Sequence, residues 1–331
     1  MILVTGLIAG RHLRAENSTK PTAEALIVIG ASGTEEYYED FQQWARRWKQ
    51  AFSEPDRITL LEDRSLAASD KSGKMTDKQR ILDWINVVPQ SPDQERWLIL
   101  IGHGTYQLQV AKFNLEGPDL SLDELAKALD TNPAQWRIIV CAACSGPFIN
   151  VLSGPNRIVV TATKSGSEQN FSRFGDYLSQ AVIAASADLD HDGSVSILEA
   201  FIMASGSTSK WYAEEGRIAS EQALLDDNGD RRGTPANFFR GVRAAKAPAD
   251  GLKLDGQNAN RVFLRKPTEV AALSAEEQAI VAGLEQQIEE LRKQKSVFAE
   301  AIYYAQLELL LVELAQKLVP ANSNSTSATA Q

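Results

Sequence analysis

Only two cysteines occur in the 331-residue chain, and both lie in the stretch RIIVCAACSGPF at residues 137–148. Cys141 continues an apolar run, whereas Cys144 follows that run and is succeeded by Ser-Gly-Pro. Four kinds of chemistry suit such a pair. They are zinc binding, thiol–disulfide exchange, packing in the core, and nucleophilic attack by one of the thiols.

The surrounding sequence ranks these four interpretations. A zinc site needs two further ligands, but the chain has only three histidines and no other cysteine. A redox pair usually opens a helix, and the Ser-Gly-Pro that follows Cys144 indicates a turn instead, so redox chemistry stays open but weakly supported. Cys141 suits the end of a buried strand, because a free cysteine packs as a small hydrophobe. Cys144 lies past that strand and is the better candidate nucleophile.

A histidine with matching placement supports this interpretation. His103 ends the apolar run WLILIGHG and is followed by Gly104. An imidazole at the end of a neighbouring parallel strand can take the proton of the Cys144 thiol during attack on a carbonyl. The N–H groups of Gly104 and Cys144 are the predicted donors to the oxyanion that develops.

Strand and helix patterns alternate along the first two thirds of the chain. Predicted strands cover 24–30, 57–63, 97–104, 136–144 and 157–166, and predicted helices cover 34–52, 76–88, 121–130 and 171–189. Ser121 and Glu124 fit a capping box at the start of the third helix. Continuous Ile, Val and Leu runs between amphipathic segments predict an α/β fold with a doubly wound, mostly parallel sheet.

The two motifs LILIGHG and AACSG together resemble the caspase–hemoglobinase clan of cysteine peptidases, nearest to its bacterial legumain-like and caspase-like members. The resemblance covers residues 24–245 and implies a caspase-like α/β fold, a peptide or protein substrate and endopeptidase activity. It implies that Cys144 is the nucleophile, His103 the base and Gly104 an oxyanion donor. The alternative is a non-catalytic, calcium-binding interaction protein that keeps this fold.

Two positions depart from members of that clan. Legumains carry an Arg-His pair shortly after the first strand, where this chain has Tyr38, Glu39 and Asp40. Metacaspases carry an acidic residue two positions before the cysteine, where this chain has Ala142. We therefore expect a basic substrate side chain to be held by a carboxylate, with Glu39, Asp40 and Glu168 as the candidates.

Residues 188–199, DLDHDGSVSILE, match the calcium loop of an EF-hand. Gly193 at the sixth position permits the sharp turn that this loop needs. Four carboxylates so close together would repel one another without a cation, so the sequence predicts bound Ca²⁺ in a structural role. An acidic surface turn is the alternative. The predicted ligands are Asp188, Asp190, Asp192, Ser194, Ser196 and Glu199.

A second acidic stretch, DDNGD at residues 226–230, opens in a similar way but has no glutamate at the twelfth position. The sequence leaves two interpretations of it open, a polar turn and an incomplete second cation site, and favours the turn.

The flanking segments have a different character. Residues 1–22 are predicted to be a leader or a disordered N-terminus, which leaves localisation in the cytoplasm or export undecided, and its apolar run is too short to span a bilayer. Residues 246–273 are predicted to be a linker with one strand at 261–265, residues 274–319 a helical hairpin, and residues 320–331 a disordered tail. The hairpin could pack on its own domain or mediate self-association. A net charge of −9 argues against nucleic acid as a partner.

Overall fold

The computed structural model describes residues 23–62, 75–89, 91–246, 254–265, 275–295 and 297–318. The chain divides into one compact unit that ends at Lys266 and a second that begins at Pro267. The predicted leader at 1–22 and the predicted tail at 320–331 lie outside the described residues.

Fourteen strands are present in the described residues, all of them in the first unit. In chain order they are β1 Glu24–Ile29, β2 Ile58–Glu62, β3 Glu95–Ile101, β4 Gly104–Gln107, β5 Val110–Phe113, β6 Leu120–Ser121, β7 Gln135–Cys141, β8 Arg157–Thr161, β9 Val195–Ser196, β10 Leu224–Asp226, β11 Thr234–Pro235, β12 Phe239–Arg240, β13 Arg243–Ala244 and β14 Phe263–Arg265.

Eight α-helices are present in the same described residues. They are α1 Glu35–Ala51, α2 Asp77–Asn86, α3 Leu122–Asp130, α4 Gly146–Leu152, α5 Phe174–Ala181, α6 Ile197–Glu214, α7 Ala275–Lys293 and α8 Glu300–Leu318. The predicted capping box of α3 is confirmed, since the Ser121 hydroxyl accepts from the Glu124 N–H and the Glu124 carboxylate accepts from the Ser121 N–H.

A seven-stranded sheet forms the centre of the first unit, in the order β11-β10-β8-β7-β3-β1-β2. Five neighbouring strands pair in parallel, namely β8, β7, β3, β1 and β2 in sheet order. At one side of the sheet, β10 pairs antiparallel with β8, and β11 pairs antiparallel with β10. The predicted α/β class with a mostly parallel sheet is therefore confirmed. The five predicted strands are its parallel members.

Helices cover both faces of this sheet, as burial of its strands on two sides requires. On one face, Phe41 and Trp44 of α1 share a core with Phe174 of α5 and Phe201 of α6. On the other face, residues of α2, α3 and α4 pack together, among them Ile81, Leu125 and Phe148. The sheet is doubly wound, and its helices bring two different sets of loops to the ends of the strands.

Two local predictions are corrected by the structure. The helix predicted over 171–189 ends at Ala181, and a 3₁₀ turn at Ala185–Ala187 buries Ala187 before the acidic loop begins. Ser-Gly-Pro does not form an isolated turn, because α4 begins at Gly146 with proline in its first turn, where the missing N–H is not needed.

The predicted linker also contains structure that belongs to the first unit. Residues 254–265 include the buried side chains of Asp255 and Ala259 and end in β14, which pairs with β9. The predicted strand at 261–265 is this β14.

The second unit contains α7 and α8, which pack against each other, as the predicted hairpin requires. Leu284, Ile288 and Leu291 of α7 are buried, as is Tyr303 of α8. None of the described helices has the length and apolar character needed to cross a membrane.

Candidate active site and calcium loop

His103 and Cys144 follow neighbouring parallel strands at the same edge of the central sheet. Strands β3 and β7 pair in register, with Ile101 opposite Cys141, and the Gly102 N–H donates to the Cys141 carbonyl over 3.3 Å. His103 therefore lies two residues beyond the last pair and Cys144 three residues beyond it. Carboxyl ends of parallel strands are where α/β folds gather functional groups.

The imidazole of His103 is fixed by a backbone carbonyl from a third strand end. Its Nε2 lies 3.2 Å from the carbonyl oxygen of Ser32, which follows β1. A carbonyl can only accept, so Nε2 carries the proton of the neutral ring, and Nδ1 is left as the basic atom. Burial lowers the pKa of His103, while the Ser32 hydrogen bond opposes this, and the net shift favours the neutral base.

Aromatic side chains orient the same ring. Tyr37 and Phe41 of α1 meet the imidazole edge to face, with ring centroids 5.1 and 5.3 Å away, and Phe171 lies at 6.0 Å. Such contacts fix the ring plane, so the position of Nδ1 is set before any ligand arrives.

Cys144 adopts an unusual backbone conformation. Its φ is +56°, in the left-handed region that non-glycine residues rarely occupy, and only 1% of the residue is exposed. Burial raises the pKa of the Cys144 thiol, a hydrogen bond from the Tyr106 backbone acts against this, and the Glu168 carboxylate raises it further. Strained backbone of this kind concentrates at functional sites, which makes Cys144 the more conspicuous of the two cysteines.

Gly104 packs directly against the chain that carries Cys144. A Cβ at Gly104 would lie 2.3 Å from the carbonyl oxygen of Ala143, so only glycine fits there. Gly104 of β4 lies opposite Phe113 of β5, and the hydrogen bond beside them runs from the Asn114 N–H to the His103 carbonyl. Gly104 and Phe113 are therefore a non-hydrogen-bonded pair of this antiparallel ladder. The Gly104 N–H therefore points away from β5, as its predicted role of oxyanion donor requires.

The second predicted oxyanion donor has another partner in this conformation. The Cys144 N–H donates to the carbonyl of Glu168 over 2.9 Å, so the prediction that it is available to an oxyanion is wrong for this state. The segment 164–168 approaches closely, because the Lys164 N–H binds the Glu168 carboxylate and a Cβ at Gly146 would collide with Lys164. This segment therefore lies against the backbone that carries Cys144.

Cys141 lies in the core, as the sequence predicted for a strand end. It is the last residue of β7, is 1% exposed, and its Cβ is close to Gly175 of α5. Burial raises the pKa of its thiol to about 12. Both cysteines are free thiols. The two differ in that Cys144 follows β7 at the sheet edge where His103 follows the neighbouring β3, whereas Cys141 is enclosed between the sheet and α5.

The three carboxylates predicted to bind substrate occupy different places. Glu168 lies beside Cys144, but one oxygen of its side chain accepts the N–H groups of Lys164 and Gln222. Asp40 is half-buried on α1, and burial raises the pKa of its carboxyl, with the Asp176 carboxylate of α5 raising it further. Glu39 is exposed and, at two residues from Tyr37, faces elsewhere. The structure therefore brings together Cys144 and Glu168, and leaves Glu39 apart.

Sequence reasoning missed Ser32, Tyr106 and the aromatic enclosure of the imidazole. Ser32 and Tyr106 act through backbone atoms, so their side chains give no signal in a sequence. Tyr37 and Phe171 could have been noticed, because each lies shortly after a predicted strand end. Their contact with His103 nevertheless depends on how α1 and the segment after β8 fold over the sheet.

Comparison with solved structures finds similarity to the crystal structure of drICE, a caspase. The two chains share 13% sequence identity with a TM-score of 0.37, over 62% of this chain and 87% of that chain. No protein-family model and no curated protein matches the sequence. Similarity at this level assigns no activity to the chain.

The acidic loop at 188–199 begins directly after a 3₁₀ turn and ends in the first turn of α6. Carboxylate oxygens of Asp188, Asp190 and Asp192 lie within 4.8 Å of one another. Gly193 has a φ of +85°, and its N–H and that of Asp192 donate to the Asp188 carboxylate. Burial raises the pKa of Asp190 to about 6, and the neighbouring carboxylates add to the shift. A hard cation with oxygen ligands fits this donor set.

The other predicted calcium ligands have additional roles. Ser196 and Glu199 form the capping box that starts α6, and the second oxygen of Glu199 accepts the Leu189 N–H over 2.7 Å. Glu199 is not part of the group of three aspartates. Ser194, at the seventh position, would bind through its carbonyl, as that position does in an EF-hand.

The strand of this loop has a pairing partner within the same unit. EF-hand loops usually pair with a second EF-hand, but here β9 pairs antiparallel with β14. The Ser196 hydroxyl also donates to the Asn260 side chain over 3.2 Å. Residues 260–265 therefore take the place of the second loop.

Proposed function

We propose that the protein is a cysteine endopeptidase in which His103 and Cys144 form the catalytic dyad. The observation that carries the proposal is the arrangement at one sheet edge: a histidine with a fixed basic Nδ1 and a left-handed cysteine follow adjacent parallel strands. The close approach of Gly104 to Ala143 supports it further. The resemblance of the motifs around His103 and Cys144 to caspase–hemoglobinase peptidases points to peptide bonds as the substrate.

The reaction follows from the chemistry of these groups. Nδ1 of His103 takes the proton of the Cys144 thiol as the sulfur attacks the peptide carbonyl carbon. The Gly104 N–H donates to the oxygen that becomes negative. The C–N bond then breaks, the amine leaves with the proton from Nδ1, and water hydrolyses the thioester and restores the thiol.

The covered state of the thiol adds a requirement for activity. Because Cys144 is 1% exposed, its surroundings must open before a substrate carbonyl can reach the sulfur. Movement of Glu168 away from Cys144 would also free the Cys144 N–H to serve as the second donor. We propose that calcium stabilises the fold through the loop at 188–199, which lies between α5 and α6 and thus on the face of the sheet that positions His103. The oxygen donor set of that loop supports this role.

A non-catalytic interaction protein is the second candidate function. Two observations favour it: Cys144 is 1% exposed, and its N–H bonds to Glu168. In such a protein the hydrogen bond between Cys144 and Glu168 would be a permanent packing contact at this edge of the sheet, and calcium would stabilise a surface that binds a partner. The two candidates differ in whether the thiol ever reacts.

Labelling and cleavage separate the candidates. Wild type, Cys144→Ala, His103→Ala and Cys141→Ala are each treated with a thiol-directed peptidyl electrophile and with a peptide library, with and without calcium. For the endopeptidase we expect cleavage that falls at least about 10³-fold on loss of either dyad residue. Labelling is expected at Cys144, and Cys141→Ala is expected to cleave at a rate close to that of wild type.

Three results would contradict the endopeptidase proposal. Labelling that is lost in Cys141→Ala but retained in Cys144→Ala would show that Cys144 is not the reactive thiol. Cleavage that survives loss of His103 would remove the proposed base. Folded, calcium-loaded wild type that neither cleaves nor becomes labelled would favour the interaction protein.

A further inference from the structure

A second group of carboxylates lies at the opposite edge of the sheet from the dyad. One oxygen from each of Asp226, Asp230 and Asp255 lies within 4.8 Å of the others. Asp226 ends β10, which runs antiparallel to β8, and it pairs with Val159 rather than with the carboxyl end of that strand. The cluster is therefore separate from His103 and Cys144, and none of its members belongs to the loop at 188–199.

Asp226 has one oxygen without a partner, although the residue is fully buried. Its Oδ1 accepts hydrogen bonds from the Ser153 hydroxyl and the Gly229 N–H, at 3.0 and 3.1 Å. Its Oδ2 is buried and has no hydrogen-bond partner, and the whole residue is 0% exposed. A buried carboxylate oxygen is costly to leave unsatisfied, and buried charges are normally paired or bound to a metal.

The other two aspartates are held in place by the backbone and by one hydroxyl. Asp255 is 3% exposed and accepts from the Asp227 N–H and the Thr234 hydroxyl. Asp230 lies at the rim, where its Oδ1 accepts the Arg232 N–H over 2.8 Å. These hydrogen bonds therefore hold both carboxylates in place beside Asp226.

We infer that Asp226, Asp230 and Asp255 form a second cation site, and that its occupant is Ca²⁺. The donors are all carboxylate oxygens, which prefer hard cations, and the group contains no sulfur or imidazole ligand for zinc or copper. Two oxygens bound to one calcium ion at about 2.4 Å are at most about 4.8 Å apart, and the three oxygens lie within that distance of one another. The unpartnered Oδ2 of Asp226 is the inner ligand.

The position of this site gives it a structural task. The Asp227 carboxylate accepts hydrogen bonds from the N–H groups of Asn258 and Ala259, so the turn after β10 is hydrogen-bonded to the segment that contains Asp255. That segment continues into β14, which pairs with β9 of the loop at 188–199. A cation bound by Asp226 and Asp255 would therefore stabilise the position of β14, the strand that pairs with β9 of the loop at 188–199.

Calcium stoichiometry tests the inference. Calcium-free wild type, Asp230→Asn, Asp190→Ala and their combination are titrated with CaCl₂ in a calorimeter at neutral pH. Asp230 is chosen because it is half-buried, and because asparagine keeps an oxygen to accept the Arg232 N–H, so the turn is retained. Asp83→Asn, an exposed site on α2, is the matched control. Circular dichroism verifies that every variant is folded.

We expect two calcium ions per chain in wild type and in Asp83→Asn. Asp230→Asn is expected to lose one binding event or weaken it at least about tenfold, because ligand charge sets calcium affinity. The event that survives in Asp190→Ala should be the one that Asp230→Asn removes. A folded Asp230→Asn protein with unchanged stoichiometry and affinities overturns the inference, as does a cluster that binds Mg²⁺ and not Ca²⁺. Failure of the loop at 188–199 to bind is seen separately, as an Asp190→Ala titration identical to wild type.

Discussion

Replacement of Gly104 by alanine perturbs the candidate active site in a way that the structure quantifies. The added Cβ would lie 2.3 Å from the carbonyl oxygen of Ala143. An ordinary carbon–oxygen contact is above about 3.3 Å, so one of the two segments must move by about 1 Å. Ala143 is bonded to Cys144, and the movement is therefore passed to the nucleophile. No left-handed backbone is involved at Gly104, so the effect comes from crowding alone.

Two magnitudes follow from this crowding. Overpacking of a closely packed site typically costs about 1–3 kcal/mol in the free energy of unfolding. A displacement of about 1 Å between reacting groups lowers the rate by about 10²-fold, and loss of the oxyanion donor lowers it by about 10²–10³-fold. We expect Gly104→Ala to lose at least about 10²-fold in the rate of peptide cleavage per folded molecule.

The assay compares Gly104→Ala with Gly206→Ala. A Cβ at Gly206 meets nothing within 4 Å, and this glycine lies exposed in α6, where alanine stabilises a helix by about 0.5–1 kcal/mol. Urea unfolding gives the stability of each variant, and cleavage rates are corrected for the folded fraction. Gly104→Ala with the stability and rate of Gly206→Ala would refute the proposed contact and the role drawn from it.

Two further predictions concern calcium and pH. Calcium is expected to raise the melting temperature by several degrees, because a site with free calcium at 100 times its Kd adds about 2.7 kcal/mol to the free energy of unfolding. In a thermal scan, Asp190→Ala should show a smaller rise. A wild-type melting temperature that calcium leaves unchanged would contradict both cation sites. Hydrogen bonds from Lys78 and Ser121 lower the pKa of Glu124 to about 2, so its stabilisation is present above the unfolded pKa and is lost as pH falls through about 4 toward 2. Because the Glu124 side chain is 40% exposed, urea unfolding should show Glu124→Gln to be less stable than wild type by less than about 1 kcal/mol at pH 7. This difference in stability should shrink below pH 4. A difference at pH 3 equal to that at pH 7 would contradict the lowered pKa of Glu124.

The elements that position the site could largely be predicted from the sequence, because their signals are local. Continuous apolar runs identified the five parallel strands, and Ser121 with Glu124 identified a helix start. The spacing of oxygens at 188–199 likewise predicted that three aspartates converge. Boundaries were less accurate after Cys144 and after Ala181, where helix and turn compete over a few residues.

The tertiary structure decided the features that join distant segments. The proton position on His103 depends on the carbonyl of Ser32, and Asp255 meets Asp226 only when the segment 254–265 folds back beside the turn after β10. The sequence by itself determined which residues could react or bind a cation, since residue type and spacing set that chemistry. Only the folded chain decided which of them meet, because the partners lie tens of residues apart and act through backbone atoms or burial, neither of which leaves a pattern in the sequence.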